Sequence, residues 1–397
     1  MRREAAVPEA NADERRLLCI MPSIPLGGME RAALRVVKAL MTQGFVTHFV
    51  LDGVWGREVQ AAVSEAGAGW SGVPFVASMS RPRTWLEARL AVRSLLRSPG
   101  ELLRESRNFR PRQLLATGLN NAFMGRRITR TQGVRSIFRV ANPPGIARSW
   151  VKSAIDQRLW RTVYADYDAL VCNSNYTAER VATMVGDDRR VHVIRNFLPE
   201  ENRQGPSDAP KLDRSKVNVV YLGQISRAKG VDVLLEAALD VVAARGDVEF
   251  TIVGPDVWQD SLGDEIRRRV SSAGPSARIR VIGAIADVPG LLNQADIHVC
   301  PSVSAGESFP NVVLDAKQAG VPSVVFPTAG LPEAIEDGVD GIVTKERTAR
   351  ALRDALLGLC DDPVLRRRLA EGAVESRRRH APNALTDAWV NLFLGKP

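Results

Sequence analysis

Short β-branched runs alternate with helix-length amphipathic stretches from Leu17 almost to the C-terminus, and few architectures accommodate that alternation. A strand, a helix and a second strand make a βα unit, in which the helix carries the chain back so that the strands lie parallel. The first series of strand-like runs is Leu17–Met21, Val46–Leu51, Gln113–Thr117, Arg135–Val140, Ala169–Asn173 and Val191–Arg195. A polar stretch from Pro199 to Ser215, with Asn202, Gly205, Pro206, Ser207 and Pro210, interrupts the pattern as a linker does. A second series follows at Val217–Leu222, Val248–Val253, Ile279–Ile282, Ile297–Cys300 and Ser323–Phe326, and the tail from Arg347 to Pro397 is helical by pattern. At 397 residues the chain exceeds one ordinary core, and domains of about 150–200 residues are the default. The expectation is therefore a disordered extension over 1–16, an α/β domain over 17–198, a linker over 199–215, a second α/β domain over 216–380, and a final helix over 381–397 that crosses back to the first domain.

The formal net charge of +9 favours anionic partners without choosing among nucleotide phosphates, acidic lipid and nucleic acid. Cys19, Cys172, Cys300 and Cys360 are dispersed and form no Cys-x-x-Cys pair, so they read as core thiols in a reducing compartment rather than zinc ligands or a disulfide framework. Residues 1–16 carry mixed charges and no apolar core of a signal peptide, and no run of about 18 apolar residues occurs. A chain that is neither secreted nor membrane-spanning is expected.

The most chemically suggestive stretch is Pro301-Ser-Val-Ser-Ala-Gly-Glu307-Ser-Phe-Pro-Asn-Val-Val-Leu-Asp315, which joins a strand end, a Gly-Glu turn and a helix start. Helix N-termini at the ends of parallel strands are where α/β sheets hold phosphates. With Glu307 before the helix and Asp315 on it, the segment points to a pocket for a nucleotide sugar. Gly27-Gly28-Met-Glu30 follows the first strand, and its glycines serve either backbone approach to a phosphate or turn geometry. Glu30 reads as a first-turn acid facing the helix dipole. Arg227-Ala-Lys229-Gly230 follows the first strand of the second series; its cations either grip a diphosphate or form a solvated loop. Gly254, Gly283 and Gly330-Leu-Pro-Glu333 close or follow further strands, as cleft walls or as simple turns.

In that order, Gly27-Gly28-Met-Glu30, Arg227-x-Lys229-Gly230, Asp296-Ile-His-Val-Cys-Pro-Ser302, Glu307-Ser-Phe-Pro-Asn-Val-Val-Leu-Asp315-Ala and Gly330-Leu-Pro-Glu333 resemble the family-4 glycosyltransferases. The resemblance runs from about Leu17 to Leu392. It implies GT-B architecture: two Rossmann-like domains with parallel sheets facing a central cleft, the donor on the C-terminal domain and the acceptor on the N-terminal one. It further implies a retaining, metal-independent transfer from a nucleoside-diphosphate sugar to a glycan or lipid-linked acceptor in cell-surface polysaccharide or glycolipid assembly, with no cofactor. By the same resemblance Arg227, Lys229 and Glu307 form the catalytic set. Gly27, Gly28, Gly254, Gly283, Ser308, Phe309, Pro310, Asn311 and Asp315 surround the donor, and Asp315 takes the ribose hydroxyls.

Two positions depart from the family pattern. Asp315 stands where Glu is usual and is one methylene short. Asn142, in Val140-Ala-Asn-Pro-Pro144, follows a strand after which members often carry His. Asn142 can hydrogen-bond an acceptor hydroxyl but cannot take a proton, and it equally fits an Asx turn before Pro-Pro.

Ser80 to Arg112 contains nine Arg and three Glu. Helical spacing sets Trp85 on one side with Arg89, Arg93 and Arg97 stacked beside it, the pattern of a helix on an anionic membrane or of an ordinary helix with a basic edge. The first reading places the protein peripherally on the inner face of the cell membrane, the second leaves it in the cytoplasm. A nucleotide-sugar 2-epimerase and a degenerate, non-catalytic nucleotide-sugar binder remain as alternatives. Nucleic acid is not an expected partner, because the basic residues are dispersed and no recognition motif is present.

Overall fold

The computed structural model describes residues 13–21, 27–52, 57–73, 98–144, 150–199, 207–257 and 261–395, and the chain divides into two compact units. Unit 1 comprises the chain up to Phe197 together with Pro382 onward, and unit 2 comprises Leu198–Ala381. The helix expected over Trp85–Arg97, with Arg89 and Arg93, lies outside the described residues.

Unit 1 is built on a parallel sheet of β1 (Arg16–Ile20), β2 (Val46–Asp52), β3 (Gly69–Val73), β4 (Gln113–Thr117), β5 (Arg135–Val140), β6 (Ala169–Cys172) and β7 (Val191–Val193). The spatial order is β3-β2-β1-β4-β5-β6-β7. The chain steps outward from β1 to β3, then returns to place β4 against β1 with Leu17 opposite Gln113. This reversal is the topological switch at which open α/β sheets bind ligands.

Helices cover both faces. On one, α1 (Gly28–Thr42), α2 (Arg57–Glu65) and the C-terminal α13 (Pro382–Leu394) pack a core that includes Val36, Leu40, Phe49, Trp389 and Phe393. On the other are α3 (98–109), α4 (Leu119–Gln132), α5 (Trp150–Asp166) and α6 (Asn175–Val185), around Leu114, Phe138, Trp160 and Tyr167. Local chemistry agrees with these boundaries. Ser174 caps α6 by accepting from the Thr177 amide at 3.2 Å, and Gly186 closes it in the left-handed conformation.

Unit 2 repeats the plan with β8 (Val217–Leu222), β9 (Val248–Val253), β10 (Ile279–Ile282), β11 (Ile297–Cys300), β12 (Ser323–Val325) and β13 (Gly341–Val343), ordered β10-β9-β8-β11-β12-β13. All its strand pairs are parallel, and the switch lies between β8 and β11, where Val299 pairs with Tyr221. Helices α7 (Val231–Ala244) and α11 (Ala349–Asp361) bury Leu234, Leu235, Leu352 and Leu356 against one face. Helix α8 (Leu262–Ala273) adds Leu262 and Ile266 to the same core. Helices α9 (Val288–Leu292) and α10 (Asn311–Ala319) cover the other face with Leu291, Leu292, Val313 and Leu314. Helix α12 (Pro363–Ser376) packs against α10 and precedes the return to unit 1.

The described part of the polar stretch before β8 is bound to unit 2. Asp208 accepts from the Ala286 and Asp287 amides, and the Leu212 amide donates to Gln294 Oε1 at 3.1 Å. All four cysteines are free and buried, three of them in strands and Cys360 in α11. Among the described residues no helix is long and apolar enough to cross a membrane.

Candidate functional site

Because β8 and β11 are neighbours, the loops leaving their C-terminal ends meet. After β8 the chain makes one tight turn over Arg227–Lys229 and exits through Gly230 at φ +68°. A Cβ at Gly230 would sit 2.0 Å from the Pro301 carbonyl oxygen, so only glycine allows this approach. The approach has a visible result: the Ala228 carbonyl accepts from the Val303 and Ser304 amides, each at 3.1 Å, and Ser302 Oγ lies 3.1 Å from the same carbonyl. The two loops are thus fastened backbone to backbone.

On that frame Lys229 Nζ lies 2.6 Å from Glu307 Oε2, and Ser302 Oγ lies 2.8 Å from the same oxygen. Burial of the half-buried ammonium works against its charge, and the Glu307 carboxylate outweighs this, so the Lys229 pKa is raised. Lys229 therefore stays charged throughout the neutral range. An ammonium has three N–H donors, and Glu307 takes one of them. Helix α10 opens directly beyond, with Pro310 as its N-cap and Ser308, Phe309 and Pro310 buried. Asn311 and Asp315 follow on α10 at i and i+4, both half-buried and both engaged with neighbours. Phe309 packs on the His380 ring, with centroids 5.5 Å apart.

Arg227 takes a different direction from Lys229. Its Nη2 is 2.6 Å from Glu265 Oε2 on α8 and its Nη1 is 3.4 Å from Asp232 Oδ2 on α7. Neither acid stands out in the sequence, because each is an ordinary first-turn acid of its helix. Gly254 has a structural reason to be glycine: a Cβ there would lie 1.7 Å from the Gly223 carbonyl oxygen, where the exits of β8 and β9 touch. Gly283 is exposed, and a Cβ there would meet nothing.

In unit 1, Gly27 is the N-cap of α1, and its amide donates to Glu30 Oε2 at 3.1 Å. The carboxylate thus already occupies one of the free donors at this helix start, and Gly28 is also engaged. Glu30 is 6% exposed, and burial raises its pKa despite that hydrogen bond. Arg139, at the C-terminal end of β5, is 2% exposed and donates from Nη2 to Asn196 Oδ1 at 2.8 Å. Burial lowers its pKa to about 10, with the Glu30 charge opposing the shift. Arg139 and Asn196 are not among the residues expected from sequence; the available signal was a cation set between Phe138 and Val140 in β5. Asn142 sits in the loop after β5 and is exposed.

Among the described residues no cluster of three or more His, Cys, Asp or Glu is placed to hold a metal. Unit 2 brings together one ammonium and one carboxylate with a hydroxyl donor, and the carboxylate stands four residues before a helix start. That set can hold an anionic group next to a hydroxyl-rich one.

Two units, each a doubly wound parallel sheet, and a charged pair at the switch of the second define a protein of GT-B fold. Solved structures agree. HepE of Anabaena in complex with UDP superposes with a TM-score of 0.77 at 14% identity, over 96% of this chain and 100% of that one. A glycosyltransferase of Rickettsia africae gives 0.73 at 14% identity, over 96% and 98%. At these identities the likeness is one of fold.

Residues 27–196 match the glycosyl transferase 4-like domain and residues 216–362 the group 1 glycosyl transferases. The chain belongs to this family, the family-4 glycosyltransferases. It is 32% identical over 193 residues to a phosphatidyl-myo-inositol mannosyltransferase of Mycobacterium leprae, covering 47% of this chain and 50% of that protein. It is 30% identical over 241 residues to a D-inositol 3-phosphate glycosyltransferase of Mycobacterium bovis, covering 58% and 47%. The chain thus spans about half the length of these curated relatives.

Proposed function

We propose that the protein transfers a sugar from a nucleoside diphosphate to a glycan or lipid-linked acceptor with retention of configuration, and that unit 2 holds the donor. The observation that carries this reading is the Lys229–Glu307 pair at the β8/β11 switch, directly before the α10 N-terminus. In this reading Lys229 keeps its bond to Glu307 and turns its remaining N–H groups to the diphosphate. Glu307 accepts from a sugar hydroxyl through its second oxygen, Oε1. Asp315, further along α10, faces the ribose. Arg227 exchanges Glu265 for the diphosphate, so its contribution is the difference between two anionic partners. These positive groups stabilise the leaving diphosphate as charge develops on it.

The lipid-linked acceptor is supported by the relative named for phosphatidyl-myo-inositol. Asn142, exposed after β5, is proposed to orient the acceptor hydroxyl. The donor phosphate, rather than a side-chain base, is proposed to receive its proton.

The test is a thermal-shift panel with UDP, GDP, ADP and their glucose and mannose conjugates, followed by transfer assays with the nucleotide that responds. Lys229→Ala should weaken donor use by about 1.5–3 kcal/mol, the range for a hydrogen bond to a charged group. Glu307→Gln should leave nucleotide binding intact and abolish transfer. Full transfer activity in both variants would refute the assignment.

A further inference from the structure

We propose that Ser302 is a positioning residue that orients Glu307, and that it sets affinity for the sugar part of a bound nucleotide sugar rather than for the nucleotide. The inference rests on the donor site proposed above. Ser302 follows β11 and is 0% exposed, so it touches no ligand itself. Its Oγ stands between two acceptors, Glu307 Oε2 at 2.8 Å and the Ala228 carbonyl at 3.1 Å. A hydroxyl has one proton to donate, and the closer, anionic acceptor wins it. Glu307 Oε2 therefore receives two donors from two different loops, the Ser302 hydroxyl and the Lys229 ammonium. Among the described residues Oε1 receives no hydrogen bond, and it is the oxygen left to meet a hydroxyl.

This division of labour depends on the hydroxyl. Lys229 is a point charge on a flexible stem with rotatable donors, which restrains a carboxylate weakly in direction. With Lys229 alone, the carboxylate is free to rotate and offer both oxygens to the ammonium, taking Oε1 away from the ligand. The Ser302 hydroxyl approaches from the buried side and holds Oε2 in place. Its removal leaves the loops joined, because the Val303 and Ser304 amides still donate to Ala228.

The experiment compares wild type, Ser302→Ala and Ser302→Thr by calorimetric titration with UDP, GDP and ADP and with their glucose and mannose conjugates, alongside thermal melting. Ser302→Ala should bind the preferred diphosphate within about twofold of wild type and its sugar conjugate about tenfold more weakly, and Ser302→Thr should restore the conjugate. Equal loss of both ligands in Ser302→Ala would make Ser302 a structural residue and overturn the inference. Unchanged affinity for the conjugate would overturn it too. Wild-type protein that binds none of the diphosphates would remove the donor site itself, and the inference with it.

Discussion

His298 lies inside β11 with its ring fully out of water, Nδ1 2.9 Å from Ser323 Oγ. Burial disfavours the imidazolium and lowers its pKa to about 3, against an unfolded value near 6.5. The folded state therefore binds fewer protons than the unfolded state between these values, and stability falls as pH drops from about 6.5 toward 3. The slope from this single group is on the order of 1 kcal/mol per pH unit. His298→Asn, which keeps a partner for Ser323, should lose stability more gently than wild type between pH 6 and pH 4 in urea titrations. Parallel acid limbs would assign the acid sensitivity to other groups. At this scale the meeting of Lys229 and Glu307 was legible because their loops leave the C-terminal ends of β8 and β11, which the sheet sets side by side. The pairing of Arg227 with Glu265 was not: 38 residues separate them, and only the packing of α8 beside α7 brings them together. Arg139 was hidden for another reason: β5 carries two arginines, and nothing in Arg-Ser-Ile-Phe-Arg-Val marks the second as the buried one.

Helix α10 shows how one element serves two environments. Asn311 and Asp315 lie on its half-buried side, while Lys317 is 1% exposed and paired with Asp340, which is equally buried. Lys317 Nζ also donates to Ser376 Oγ at 2.9 Å, and Asp340 accepts from Arg379 and from the Glu336 amide. This network ties α10 to the end of α12. Lys317→Met leaves a buried carboxylate short of one cation and should destabilise unit 2 by about 3 kcal/mol, the low end for breaking a buried pair, because Arg379 remains. Adding Asp340→Asn should recover much of that loss in a double-mutant cycle followed by urea unfolding; strict additivity would show that the pair is uncoupled.

The strands expected from β-branched runs are all present, with ends moved by a residue or two. The two that no β-branched run announces, β3 and β13, are outer edges of their sheets. Gly69-Trp-Ser-Gly-Val contains two glycines and Gly341-Ile-Val is three residues long, so neither has an apolar run to reveal it. Short and irregular edges are how sheets avoid pairing with other chains, and that same trait makes them hard to read.

Across the whole molecule, α13 joins a core whose other members lie hundreds of residues earlier. Trp389 and Phe393 are each 1% exposed beside Val36, Leu40 and Phe45, and Arg135 Nε donates to the Leu392 carbonyl at 3.1 Å. Trp389→Ala should cost unit 1 about 3–5 kcal/mol. Hydrogen exchange should quicken in peptides from α1 and β5 and stay unchanged in α7; equal acceleration in α7 would contradict the assignment of α13 to unit 1. Such long-range packing is illegible in a local pattern, which shows a helix but not its destination.

The crossings between the units carry a last implication. The Leu198 amide donates to the His380 carbonyl at 2.9 Å, so unit 2 begins and ends at one spot. Segment 198–381 is therefore wired as a plug-in cassette: a few linker residues would close it into a ring, and a foreign cassette with similarly adjacent ends could be spliced between Phe197 and Pro382. Exchange of unit 2 between relatives by such splicing would need only two joints, both at the same place.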